Sequence, residues 1–426
     1  MNRLSPTNVA GFVFAAAVAT TALASAQPAP SPAPSAMAKP AAAPAPSPSA
    51  SATPSPTPTK LFTANGYVDL AFEAANNTDK IRFTNGSLSR ILDGGTNAYF
   101  DANGGRQLSS PNDYLNQLNP QAANFNLAYN GTPVSVHVEG VIGSDAKFLA
   151  SNGQSRQGTN LLQAYAQYAV GPATLSLGKY ESVAGAEVPE TTLNTNFSRD
   201  FLYAAVPTSV TGARLTYVYN PKVTVIVGVN NGWDDWKFAG KKKTIEAALQ
   251  LAPSPGYTLN LTTLNGGDFL LNGNSATNTP PDFTNRMLYD VVLTLKPTSA
   301  LNFVFNYDRA TQVGDGVGNG PYRWNGIAGY ANYTISPLFA TSFRKETFLD
   351  GNGARLAGPA SGTSTGERVQ SNTATLSYTP NSNYLLRLEY RLDAADGNNF
   401  TFRGAAPTEG RPHQSTVAVE AVYKFP

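Results

Sequence analysis

Cysteine is absent from the chain, which rules out disulfides and thiolate metal centres. Histidine occurs twice, as His137 and His413, too few for an imidazole-rich metal site. Charge is scarce too: 14% of the residues are Asp, Glu, Lys or Arg, where a soluble domain carries about a quarter. The signs nearly cancel, at a net +2, and they are interspersed, so no basic face for nucleic acid stands out. No apolar run approaches the roughly 20 residues that a membrane-spanning helix needs. Nucleophile elbows, phosphate-binding loops and metal-spaced clusters are missing as well, so no cofactor is implied.

What the chain has instead is aromatics, 20 Tyr and 21 Phe, together with 37 Gly and a repeating rhythm. Runs of about ten residues alternate in polarity, and they are joined in turn by tight proline-bearing turns and long Gly/Asn/Asp-rich loops. The runs lie at 64–75, 121–130, 133–143, 159–170, 172–182, 210–219, 222–231, 243–252, 256–265, 285–296, 299–310, 324–335, 338–349, 367–379, 383–394 and 414–425. Sixteen is an even number, as an antiparallel up-and-down β-barrel with both termini on one side requires. Eighteen is the alternative, because Ile81-Arg82-Phe83 and Ala98-Tyr99-Phe100 are able to form one more hairpin.

The short turns hold Pro133, Pro172, Pro221, Pro253 with Pro255, Pro297, Pro337 and Pro380. Proline fixes φ and donates nothing to a ladder, so its recurrence marks turns. Bacterial barrels place short turns in the periplasm and long loops outside. Along each strand the side chains change face at every residue. Leu386, Leu388, Tyr390 and Leu392 therefore oppose Arg387, Glu389 and Arg391, and Phe303, Phe305 and Tyr307 oppose Asn302, Asn306 and Asp308. A cation on lipid costs about 2–4 kcal/mol at midplane, which sends the charges inward. The expected pore lining includes His137, Glu139, Arg214, Asp290, Asp308, Arg344, Arg387, Glu389, Arg391 and Glu420. Lys179 and Lys345 break the alternation and are expected to reach the membrane interface from outer strand ends.

Ahead of the barrel, Arg3, an apolar stretch over residues 11–23 and Ala24-Ser25-Ala26 form a secretory signal peptide, residues 1–26. Residues 27–60 are almost entirely Pro, Ala, Ser and Thr, a composition that buries nothing. They are expected to form a disordered periplasmic linker, a spacer or a tether toward the cell wall, with residues 61–426 forming the barrel domain.

Two stretches carry a family resemblance. One runs from Asn196-Phe197-Ser198-Arg199 through Pro207 to Thr211-Gly212-Ala213-Arg214; the other is Val229-Asn230-Asn231-Gly232-Trp233-Asp234 followed by Lys243-Thr244. With the strand rhythm they make the chain resemble porins of the OmpL-like β-barrel family of Gram-negative outer membranes. The resemblance implies a channel-forming outer-membrane protein. One departure is the last residue: such barrels finish on an aromatic, whereas here Phe425 is followed by Pro426.

A barrel of sixteen strands is too wide for its own side chains to fill, so a water channel is expected. The expected function is a porin, passing small hydrophilic solutes or ions through the lumen, in contact with outer-membrane lipid and lipopolysaccharide and open to trimer formation. The alternatives are a plugged barrel acting as adhesin, receptor or anchor, and a hydrolase that would need His137 as its base. The third long loop is the candidate constriction, since Glu187, Glu190, Arg199 and Asp200 stand there beside Phe197, Phe201 and Tyr203. Balanced wall charges predict weak ion selectivity. Lys241, Lys242 and Lys243 are a basic run in the fourth outer loop, and Trp233 and Trp236 read as interfacial belt residues.

Overall fold

A computed structural model describes residues 61–75, 118–149, 151, 158–237, 242–268, 284–313, 321–351, 367–396, 400–401, 410–411 and 413–426. Sixteen antiparallel strands close on themselves. They are β1 (Phe62–Ala75), β2 (Leu118–Tyr129), β3 (Val134–Ile142), β4 (Thr159–Val170), β5 (Ala173–Glu181), β6 (Ser209–Asn220), β7 (Val223–Asn230) and β8 (Thr244–Ser254). The second half comprises β9 (Tyr257–Asp268), β10 (Thr284–Leu295), β11 (Leu301–Gln312), β12 (Tyr322–Thr334), β13 (Phe339–Asp350), β14 (Glu367–Asn381), β15 (Tyr384–Ala395) and β16 (His413–Phe425). Each strand pairs with its neighbour in sequence, and β1 pairs with β16 from Gly66↔Phe425 to Ala75↔Thr416. A two-residue ribbon, Phe400–Thr401 with Gly410–Arg411, sits in the last outer loop. The signal segment, the linker and the alternative hairpin all lie outside the described residues.

Alternation makes this barrel. On β11 the buried positions include Asn302, Val304, Asn306 and Asp308, while Phe305, Tyr307 and Arg309 are exposed. On β15 Arg387, Glu389, Arg391 and Asp393 are buried and Leu386, Leu388, Tyr390 and Leu392 are exposed. The exposed set is the lipid-facing belt. At its periplasmic edge aromatic rings pair across strands, Phe62 with Tyr129 at 5.1 Å, Phe339 with Tyr378 at 4.8 Å and Tyr384 with Tyr423 at 5.1 Å. Such girdles seat a barrel at the headgroup level. The closing seam depends on Gly66: a Cβ there would lie 2.7 Å from the Phe425 ring and 2.1 Å from the Asn124 carbonyl oxygen. The final aromatic therefore covers a glycine on the neighbouring strand.

Three details differ from the sequence reading. Pro253 and Pro380 fall inside strand ends rather than turns, and each stands where the register shifts, between Leu251 and Ser254 and between Tyr378 and Asn381. A bulge is a place where a strand tolerates the missing N–H. Lys179 does not reach the interface: it is 2% exposed, and its ammonium donates to the Leu161 carbonyl at 2.7 Å. Just before it Gly178 has φ +132, a kink after which Lys179 and Tyr180 are both buried and alternation fails. Trp233 is likewise no belt residue, being 1% exposed inside the barrel beside Trp324, with their rings 6.3 Å apart, and under the Arg286 guanidinium.

Candidate functional site

The third outer loop, residues 182–208, does not stand above the rim. It leaves β5, crosses the lumen and lies against the opposite wall, with most of its residues buried. A buried loop needs partners for its backbone polar groups, and here the wall charges supply them. Glu389 on β15 accepts the N–H groups of Phe197 (2.7 Å) and Ser198 (3.0 Å). Glu346 on β13 accepts from Phe201 N–H. The guanidinium groups take the carbonyls: Arg344 donates to Ser198 O (2.7 Å), Arg391 to Arg199 O (2.6 Å), and Arg387 to Asn194 O (2.9 Å) and Asn196 O (2.8 Å).

Side chains add a second layer. Glu187 pairs with Arg344 at 2.6 Å and accepts the Asp200 N–H at 2.9 Å. Tyr330 on β12 donates from its hydroxyl toward Glu187 and Asp200. Burial, then the neighbouring Glu187 and Glu346 carboxylates, hold the Asp200 carboxyl well above the usual range. Nearer the root of the loop, Asn306 accepts from Ala186 N–H at 2.9 Å and donates to Asp290 at 2.8 Å and Asp308 at 3.2 Å. Arg387 and Glu420 form an ion pair, with Thr191 of the loop bonded to both.

The returning arm of the loop, residues 201–206, is largely apolar and packs on an apolar patch of wall. Phe201, Leu202, Ala204, Ala205 and Val206 join Trp233, Leu264, Leu288, Val304, Trp324 and Phe348 in one buried cluster. The indole of Trp324 donates to Ala205 O at 3.2 Å. Gly326 leaves room for Leu202, whose Cδ1 would lie 2.8 Å from a Cβ there.

The two sequence stretches of the family resemblance acquire physical roles in this arrangement. Residues 196–199 carry backbone groups that Arg344, Arg387, Glu389 and Arg391 hold. Asp234, in the left-handed region at φ 56, accepts from Thr208 N–H (2.9 Å), Thr208 Oγ1 (2.7 Å) and Ser209 N–H (2.8 Å), fixing the exit of the loop into β6. Gly212 is required by close approach, since a Cβ would lie 2.2 Å from Val229 O.

What the loop leaves open is a cavity of about 500 Å³ against β1–β8. On the wall side it is lined by His137, Glu139, Gln163, Tyr165, Glu181 and Arg214, among others, and on the loop side by Ser182, Val183, Glu190 and Leu193. Glu139 accepts from Asn124 (2.7 Å) and Gln163 (2.7 Å), and His137 Nε2 lies 3.9 Å from it. The His137 and Tyr165 rings stack at 5.2 Å, and Tyr180 carries the Arg214 guanidinium 4.1 Å from its centroid. Arg214 is paired with Glu246 at 2.8 and 2.9 Å.

The expected site residues thus fall into two groups, with Arg199 apart from both. His137, Glu139, Glu190 and Arg214 line the cavity. Glu187, Asp200, Asp290, Asp308, Arg344, Arg387, Glu389, Arg391 and Glu420 are also turned to the interior, yet each is buried where the loop meets the wall or close by. Arg199 points back along its own loop, donating to Pro189 O at 2.9 Å and Phe197 O at 3.3 Å. Sequence reasoning placed Asn306 on the inward face without a role, and missed Trp324, Tyr330 and the apolar inward positions that seat residues 201–206.

Comparison with known proteins agrees with this architecture. The profile of the family described as "Putative beta-barrel porin-2, OmpL-like" matches residues 85–425. No curated protein sequence matches. Among solved structures, the outer membrane channel DcaP of Acinetobacter baumannii superposes with a TM-score of 0.53 at 15% identity, over 85% of this chain and 97% of that one. The anion-selective porin from Comamonas acidovorans gives 0.51 at 10% identity, over 85% and 99%. OmpT of Vibrio cholerae gives 0.51 at 12% identity, over 86% and 98%. The chain belongs to the OmpL-like β-barrel porin-2 family and is a porin of the outer membrane.

Proposed function

We propose that solutes cross through the half of the lumen that the third loop leaves open, between that loop and β1–β8, with Glu139, Glu190 and Arg214 at its charged narrows. The observation that carries this reading is the cavity, with carboxylates, amides and phenols on its walls. Such a lining replaces water for small hydrophilic solutes without binding them tightly, which conduction requires. The opposite half of the lumen is taken up by the loop and its wall contacts. The wall charges there belong to loop anchoring, so they do not set the passage.

The chain has no cysteine, which makes the path directly testable. Gln163→Cys places a thiol on the cavity wall, and Ser342→Cys places one on the opposite wall, where Ser342 bonds Asn196. In planar bilayers a cationic methanethiosulfonate reagent is expected to reduce the conductance of the first variant by about half or more and to leave the second unchanged. Block at Ser342→Cys alone would overturn the assignment of the path. A protein without stable conductance steps would instead support the plugged-barrel reading.

A further inference from the structure

Among the described strand residues the outer face is free of charged side chains except in one region. Every described Asp and Glu side chain in the strands points into the interior. Four cations, by contrast, stand exposed on the outer face: Arg309 on β11, Arg323 on β12, Lys345 on β13 and Arg368 on β14. They occupy four consecutive strands, and the other twelve have no exposed, outward-facing Lys or Arg among their described side chains. None of the four side chains has a hydrogen-bond or ion-pair partner among the described residues.

Their register makes a cluster of them. Arg309 faces Asn325, Asn325 faces Leu349, and Leu349 faces Arg368, so the two arginines end a row about 14 Å long at the usual strand spacing. Arg323 stands beside this row, opposite Thr311, and Lys345 lies lower on β13, between Gly329 and Asn372. The three arginines are within three residues of the extracellular strand ends, and Lys345 is five residues from one. That is the level of the outer-leaflet headgroups, within reach of the Lys345 stem.

Four like charges at the edge of hydrocarbon repel one another and resist desolvation, so a counter-anion is needed. A second copy of this chain offers none on its described strands, whose carboxylates all face inward. The outer leaflet offers phosphate. Guanidinium forks match phosphate oxygens two at a time. The geometry points to a binding site for the phosphorylated headgroup of an outer-leaflet glycolipid, of the lipopolysaccharide type, on the outer face of β11–β14, with Arg309, Arg323 and Arg368 on the phosphates and Lys345 reaching up from below.

The test uses the refolded full chain in detergent, titrated with purified lipopolysaccharide and with the same material dephosphorylated. Wild type is expected to bind the intact lipid on the order of tenfold more tightly than the dephosphorylated one. The variant carrying R309Q, R323Q, K345Q and R368Q is expected to lose that difference. Two double variants, Arg309→Gln with Arg368→Gln and Arg323→Gln with Lys345→Gln, each with an intermediate loss, keep the test alive if the quadruple variant fails to fold. Equal binding of intact and dephosphorylated lipid by wild type would overturn the site, and that comparison needs no variant. A quadruple variant that binds intact lipid like wild type but changes its sedimenting mass would also overturn it, assigning the patch to a subunit contact.

Discussion

Arg344 commits both terminal nitrogens of its side chain to the third loop or to the wall beneath it. Nη1 reaches Glu187 (2.6 Å) and Ser198 O (2.7 Å), Nη2 reaches Ser198 Oγ (3.0 Å) and Thr373 Oγ1 (3.2 Å), and Nε stands 3.5 Å from Glu346. Fully buried charges survive only when paired and hydrogen-bonded. Arg344→Met removes the cation and leaves two buried carboxylates facing one another's field, a change worth about 3–5 kcal/mol. The thermal unfolding midpoint in detergent is expected to fall sharply, and single-channel currents to flicker as the loop detaches. Arg344→Lys recovers less than half of the loss, because one ammonium cannot hold Glu187 and the Ser198 backbone together. An Arg344→Met protein with the wild-type midpoint and a quiet current would remove the anchoring role.

At the level of elements, the strands were legible because each must present one face to lipid, and alternation writes that demand into every run. Glu389 between Leu388 and Tyr390 states it openly. The inward fold of the third loop was not legible in its own residues, since Glu187, Arg199 and Asp200 serve a loop over the rim equally well. Its seat left a trace elsewhere. Leu264, Leu288, Val304 and Phe348 are apolar at inward positions, and a water-filled pore gives no reason for that. Such positions mark wall that something must cover. Lys179 stayed illegible because the kink at Gly178 is a backbone event. Replacing residues 187–204 with a short Gly/Ser linker tests the element as a unit. The strand ladder closes without those residues, so the barrel is expected to assemble, with conductance raised on the order of threefold and stability lowered as the apolar patch meets water. Unchanged conductance would mean that the loop does not narrow the path.

For the whole molecule, balanced composition does not require a balanced passage along the proposed path. The inward guanidinium groups of Arg344, Arg387 and Arg391 are held by the loop and by buried carboxylates, and Arg214, on the open side, is neutralised by Glu246. The cavity keeps Glu139 and Glu190, with Glu181 beside them. A narrow passage with an excess of carboxylates concentrates cations. The expected cation-over-anion permeability ratio in a potassium chloride gradient is therefore above about 3 at neutral pH, replacing the weak selectivity that a count of wall charges suggests. Burial raises the Glu190 carboxyl above its usual range, helped by Glu139 and opposed by the Thr192 hydrogen bond and by Lys424 and His137. As the pH drops, Glu190 takes up its proton earlier than an ordinary glutamate, and the cation preference declines with it. Glu190→Gln lowers the ratio at neutral pH and removes that early step, while adding Glu139→Gln lowers it further, to the smaller preference that Glu181 alone supplies. Reversal potentials across a pH series decide the matter: a wild-type ratio below 1 would show that the open half of the lumen is governed by charges other than these.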